Sequence, residues 1–168
     1  MGRGLCLVGL LASGCGYTFT AGGPSLAAGA HPIFVPTVVN KTSEAGLEVV
    51  FTEALRDQLG KAGVLGGENS PAHLDGEILA VSAAPAVLSS SSAPRPSQAL
   101  SYRVNVVLRV KLYRGSELVT QTDVTGAEDY LQGQRPDVLS VESNRVAALK
   151  RLAAALAQDA YVRLAGAG

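Results

Sequence analysis

Hydrophobic and polar residues alternate most regularly between Leu100 and Tyr113. Tyr102, Val104, Val106, Leu108, Val110 and Leu112 share one side of an extended chain. Arg103, Asn105, Val107, Arg109, Lys111 and Tyr113 share the other. A period of two with one apolar side predicts a strand in a sheet covered on one face only. Arg114-Gly115-Ser116 then reads as a hairpin loop. Three loop residues set Leu112 opposite Leu118 and Val106 opposite Val124, which predicts the next strand over Glu117 to Val124.

Elsewhere the period changes. Leu47, Val50, Phe51, Ala54, Leu55 and Leu59 recur at helical spacing and form one apolar stripe. Thr42 or Ser43 is the expected N-cap, Glu44 suits the first turn, and Gly60 and Gly63 bracket the stop. A second helix is predicted from about Leu139 to Leu164, capped by Asp137 or Ser140. Its buried face is Val146, Leu149, Leu152, Ala153, Leu156, Ala157, Ala160 and Leu164. Ile33 to Val39 is a β-rich run whose Pro36 demands an edge or a bulge. His73 to Ser89 is a further strand, alternating through Leu74, Gly76, Ile78 and Ala80. Residues 89–98 are a Ser/Pro-rich loop, and 126–137 a polar connection. The order is β-α-β-β-β-α. The predicted fold is α+β: two helices packed on one face of a four-stranded mixed, mainly antiparallel sheet.

The N-terminus carries a separate pattern. Arg3 precedes the apolar run Leu5 to Leu11, and Ala12-Ser13-Gly14-Cys15 follows with small residues that let a peptidase reach the backbone. This resembles the lipobox of bacterial lipoproteins, with Ala12 where leucine is most usual. It divides the chain into a signal peptide at 1–14, a lipidated tether at 15–30 and a single domain at 31–165. Cys15 would carry a diacylglycerol and an N-terminal acyl chain such as palmitate. Gly16, in place of the aspartate common in inner-membrane lipoproteins, favours the periplasmic face of the outer membrane.

Composition narrows the chemistry. The 168 residues hold 14 basic and 14 acidic side chains, so no net charge argues for nucleic-acid binding. The two cysteines are Cys6 and Cys15, and Cys6 leaves with the signal peptide, so no intrachain disulfide is expected. His31 and His73 show no ligand spacing, and no His/Cys cluster points to a metal. No cofactor is expected. Ser89 to Ser92 lack a neighbouring base, and Asp75 and Glu77 alternate as exposed strand residues do. Arg103, Arg109 and Lys111, with Arg95 in the loop before them, are the strongest binding candidates. Arg103 and Arg109 are roughly 20 Å apart at strand rise. Guanidinium groups there could grip phosphates or a partner's carboxylates, or the charges could serve only to keep the sheet from aggregating.

Cys15-Gly16-Tyr17-Thr18-Phe19, Ile33-Phe34-Val35-Pro36, Asn40-Lys41-Thr42, Gly46-Leu47-Glu48, the Phe51 to Arg56 helix and Asp75-Gly76-Glu77-Ile78 follow one another in an order that resembles the LptE family. The resemblance implies a non-enzymatic, lipid-anchored plug subunit of the outer-membrane lipopolysaccharide translocon. Its partners would be an LptD-like β-barrel and lipopolysaccharide, and it would assist barrel assembly and insertion into the outer leaflet. Two other functions remain open. One is an outer-membrane lipoprotein adapter of another secretion or cell-wall complex. The other is a hydrolase using Ser89 to Ser92 or the Asp75/Glu77 pair.

Overall fold

The structure is a computed structural model that describes residues 32–88, 99–132 and 137–166. Its elements run β1 (Ile33–Phe34), β2 (Val39–Asn40), α1 (Leu47–Lys61), β3 (Ala72–Leu88), β4 (Ala99–Arg114), β5 (Glu117–Leu131) and α2 (Val138–Gly166). The long strands β3, β4 and β5 form an antiparallel ladder, and β1 and β2 both pair parallel to β3. The class is the expected α+β with a mixed sheet, now of five strands because Ile33 to Val39 is split.

Pro36 explains the split. Ile33 pairs with Ala72 and Val39 with Glu77, so the link between β1 and β2 holds one residue more than the stretch of β3 beside it. Helix α1 satisfies the link's backbone. Arg56 donates through Nε and Nη2 to the Val35 carbonyl at 3.0 and 2.7 Å. Val38 N–H donates to Thr52 Oγ1 at 2.9 Å, and that buried hydroxyl donates in turn to the Glu48 carbonyl.

The start of α1 differs from the expectation. Thr42 and Ser43 do not cap it; Gly46 does, at φ 88, where a Cβ would be strained. Asn40 organises the turn before it. Its amide donates to the Glu44 carbonyl and to Glu48 Oε2, while its oxygen accepts from Thr42 N–H and Thr42 Oγ1. Glu48 Oε1 accepts the Gly46 N–H, so the carboxylate replaces a side-chain cap. The stop falls as expected, with Gly63 in the left-handed region at φ 71. Asp137 starts α2: its carbonyl accepts the Val141 N–H and its carboxylate the Ser140 N–H.

Both helices lie on one face of the sheet. A Cβ on Gly76 of β3 would meet Val38 and Leu55, and one on Gly126 of β5 would meet Leu152 and Leu156. Between the layers sit Phe51, Leu55 and Leu59 of α1, Leu152, Leu156 and Leu164 of α2, and the inward row Val104 to Leu112 of β4. Burial on this scale is the main stabilising term. Val146 is 39% exposed rather than buried, and Ala148 and Tyr161 take places on the buried face that were not expected.

Two registers also differ. A bulge between Ile78 and Ala80 turns Ala80 outward and brings Val81 against the core. The β4–β5 turn is Gly115-Ser116, with Gly115 at φ 55 and Arg114 opposite Glu117. A further irregularity then sets Leu112 opposite Thr120 and Val106 opposite Gly126. Relative to the expected pairing, β5 slides by two residues and continues to Leu131 through the stretch expected to be a connection.

Candidate functional site

Alternation along β3, β4 and β5 sends every second side chain to the face opposite the helices. β3 contributes His73, Asp75 and Glu77; β4 contributes Arg103, Asn105, Val107, Arg109, Lys111 and Tyr113; β5 contributes Gln121, Asp123, Thr125, Ala127 and Asp129. The three candidate cations of β4 do share this face. Arg95 and Cys15 lie outside the described residues, as do the expected signal peptide at 1–14, the expected tether at 15–30, His31 and the expected loop at 89–98.

Each of the three cations meets a carboxylate from a neighbouring strand. Arg103 grips Asp129 through Nε and Nη2 at 2.7 and 3.0 Å. Arg109 grips Asp123 in the same two-pronged way at 2.7 and 2.8 Å. Both pairs are directly cross-strand neighbours. Lys111 leans diagonally to Glu77 at 3.1 Å, and Lys41 approaches the same carboxylate at 3.7 Å. Hydrogen bonding to these cations holds the Asp123, Asp129 and Glu77 carboxyls below their ordinary range. His73 stacks on Tyr113 with ring centroids 4.9 Å apart and stands 4.0 Å from Asp75.

The face is therefore a ladder of paired charges rather than a bare cationic stripe. A phosphate approaching Arg103 or Arg109 must share the guanidinium with an aspartate or displace it. Asp123 and Asp129 are the residues that sequence reasoning missed. The Gly115-Ser116 pair was the signal for them, since a two-residue turn moves Arg109 from opposite Gln121 towards Asp123.

The arrangement gives little to acid/base chemistry. Glu77 is kept ionised by two lysines, the reverse of what a general acid needs. Among the described residues, no group of three or more His, Cys, Asp or Glu is placed to hold a metal ion. The cavities are shallow; one of about 230 Å³ lies beside Glu77, against Pro36, Thr37 and Val39. Among the described residues no helix is long and apolar enough to cross a membrane.

A family model for LptE, described as lipopolysaccharide-assembly, matches residues 30–164. No curated protein matches the sequence. Several solved structures share the fold at low identity. A minor lipoprotein from Acinetobacter baumannii is 12% identical with a TM-score of 0.51, over 82% of this chain and 92% of that one. A hypothetical protein from Chlamydia trachomatis is 11% identical with a TM-score of 0.52, over 81% and 96%. A candidate lipoprotein from Caulobacter crescentus is 14% identical with a TM-score of 0.51, over 77% and 88%.

Proposed function

The chain belongs to the LptE family of lipopolysaccharide-assembly proteins, and from that membership we propose that it is the lipid-anchored accessory subunit of an outer-membrane lipopolysaccharide translocon. In this reading it sits as a plug in an LptD-like β-barrel, helps that barrel assemble, and assists insertion of lipopolysaccharide into the outer leaflet. The work is contact rather than catalysis, and no cofactor takes part. The observation that carries the reading is the family match, which spans nearly the whole of the two-helix, mixed-sheet domain.

Three features support it. The Leu5–Leu11 run followed by Ala12-Ser13-Gly14-Cys15 supplies an anchor at the start of the chain, with Cys15 as the acylated residue. The open sheet face is polar and charge-balanced, which suits the polar interior of a large barrel. Arg103, Arg109 and Lys111 hold donors that an anionic lipid phosphate could recruit by exchange with Asp129, Asp123 and Glu77. Arg95, four residues before β4 in the sequence, would add to them.

Affinity purification of the full-length protein from native outer membranes tests the reading. Recovery of one large β-barrel protein in stoichiometric amount is the expected result. Recovery of the protein free of any barrel, or with a secretion or cell-wall complex instead, would refute it.

A further inference from the structure

Strand β5 pairs with β4 on one side and with no other described strand on its other side. Its outer edge is closed at two points by α2. Arg163 donates through Nη1 to the Asp123 carbonyl at 3.4 Å, and Asn144 donates through Nδ2 to the Leu131 carbonyl at 3.0 Å. Both carbonyls therefore point away from β4. In an antiparallel strand a residue's N–H and C=O point to the same side, and that side alternates along the chain. The β4–β5 register runs without a break from Thr120 to Leu131. Thr125, Ala127 and Asp129 thus turn their N–H and C=O groups outward as well. Among the described residues nothing pairs with them.

This window has two distinct margins. On the helix side a groove of about 300 Å³ is lined by Asp129, Tyr130, Leu131, Asn144, Ala147 and Arg151. Leu131 is 67% exposed beside it, and Arg151 at its rim is held by Glu128 at 2.6 Å. On the open-face side the margin is Asp123, Thr125, Ala127 and Asp129. Their two carboxylates are already neutralised by Arg109 and Arg103, so that margin complements uncharged polar groups. The other edge of the sheet is different: β1 and β2 lie along part of β3, and bulges interrupt the rest.

We propose that the β5 edge between Asp123 and Leu131 accepts an extended segment of a partner polypeptide as a further strand. Outward donors and acceptors that recur at every second residue, roughly 7 Å apart, match an extended chain and not a helix or a lipid headgroup. The incoming strand alternates apolar side chains, seated against Tyr130 and Ala147 on the helix side, with uncharged polar ones beside Thr125 and Ala127. This rests on the reading above only in drawing the partner from the outer-membrane assembly.

Residue-resolved amide exchange tests it, on the full-length protein both purified alone and in complexes extracted from native outer membranes. Thr125, Ala127 and Asp129 should exchange freely in the isolated protein and at least about tenfold more slowly in the complex. Ala127→Pro removes one outward N–H and leaves the β4 ladder intact, since proline is tolerated at a strand edge. It should reduce recovery of the complex about tenfold, the effect of one lost hydrogen bond in a desolvated interface. The melting temperature of the isolated protein should not change. Equal exchange in the two states overturns the proposal, as does wild-type recovery with Ala127→Pro. Slow exchange in the isolated protein also overturns it, because the edge is then closed by this chain or a second copy. A complex that protects these amides but contains no barrel keeps the edge proposal and removes the translocon reading; a barrel complex with unprotected amides does the reverse. Failure to isolate any complex counts against both.

Discussion

The helix layer lies close against β5 at Gly126, and replacing that glycine should cost a measurable amount of stability. A Cβ there would stand 2.8 Å from Leu152 Cδ1 and 3.0 Å from Leu156 Cδ2. Both leucines are 3% exposed and packed into the core, so they cannot swing freely aside. Overpacking of this kind costs about 1–3 kcal/mol. Loss of glycine's freedom in the unfolded chain returns about 0.4–1 kcal/mol. Gly126→Ala should therefore destabilise by about 1–2 kcal/mol, a fall in Tm of about 2–8 °C for a domain of this size. Leu152→Ala alone should cost about 2–4 kcal/mol by leaving a cavity. In the double variant the new methyl enters that cavity, so the total should fall short of the sum by at least about 1 kcal/mol. Urea unfolding of the four proteins completes the cycle, and Gly67→Ala, with nothing within 4 Å of the added Cβ, is the control. Additivity to within about 0.5 kcal/mol, or a Gly126→Ala protein as stable as the control, would refute the close approach.

Asn40→Ala removes the amide that joins Thr42, Glu44 and Glu48; it should cost about 2–3 kcal/mol, read by chemical unfolding. The Glu77, Asp123 and Asp129 carboxyls sit below their ordinary values of 4.5, 3.8 and 3.8 in the folded protein. Their contribution is complete above those values and is lost as pH falls through the lowered ones. Stability should decline below about pH 4.5 and more gently in the E77Q/D123N/D129N protein; parallel pH curves would dismiss the ladder's role. Arg103→Gln, Arg109→Gln and Lys111→Gln together should weaken binding of lipopolysaccharide vesicles at low salt, by light scattering or surface plasmon resonance. Unchanged binding would exclude these residues as phosphate contacts. Cys15→Ser should abolish the acyl mass increment, read by mass spectrometry of the purified protein.

The strongly periodic elements were legible in the sequence. β4 has the expected sides, and α1 and α2 bury most of the expected stripes, because a continuous apolar row leaves each of them one way to face the core. The charge pairs were not legible, for one geometric reason. A three-residue turn leaves Arg109 opposite Gln121 and Arg103 opposite Ala127, and the face then reads as bare cation. The true turn with its irregularity slides β5 by two residues and brings Asp123 and Asp129 into place. A two-residue slip leaves the inward and outward sides unchanged, so hydrophobic alternation could not reveal it. The stretch Thr125 to Leu131 escaped recognition because Gly126, Glu128 and Asp129 lower its strand propensity. Pairing with β4 overrides that preference, and Gly126 is the residue that lets α2 lie flat.

The small parallel clip formed by β1, Pro36 and β2 has a mechanical meaning. A pull arriving from the N-terminal side reaches the fold at Ile33, which is held to β3 by a strand only two residues long and to the 64–66 turn by its N–H on the Val64 carbonyl and its carbonyl on the Gly66 N–H. Behind it, Arg56 and Thr52 bolt the Val35–Val38 link to α1. Load would meet β1 and its turn first, then the bolts to α1 and the pairing of β2 with β3, before it reached the β4–β5 ladder. A chain tethered at one end and gripped at β5 would therefore yield near its tether before the gripped surface changed shape.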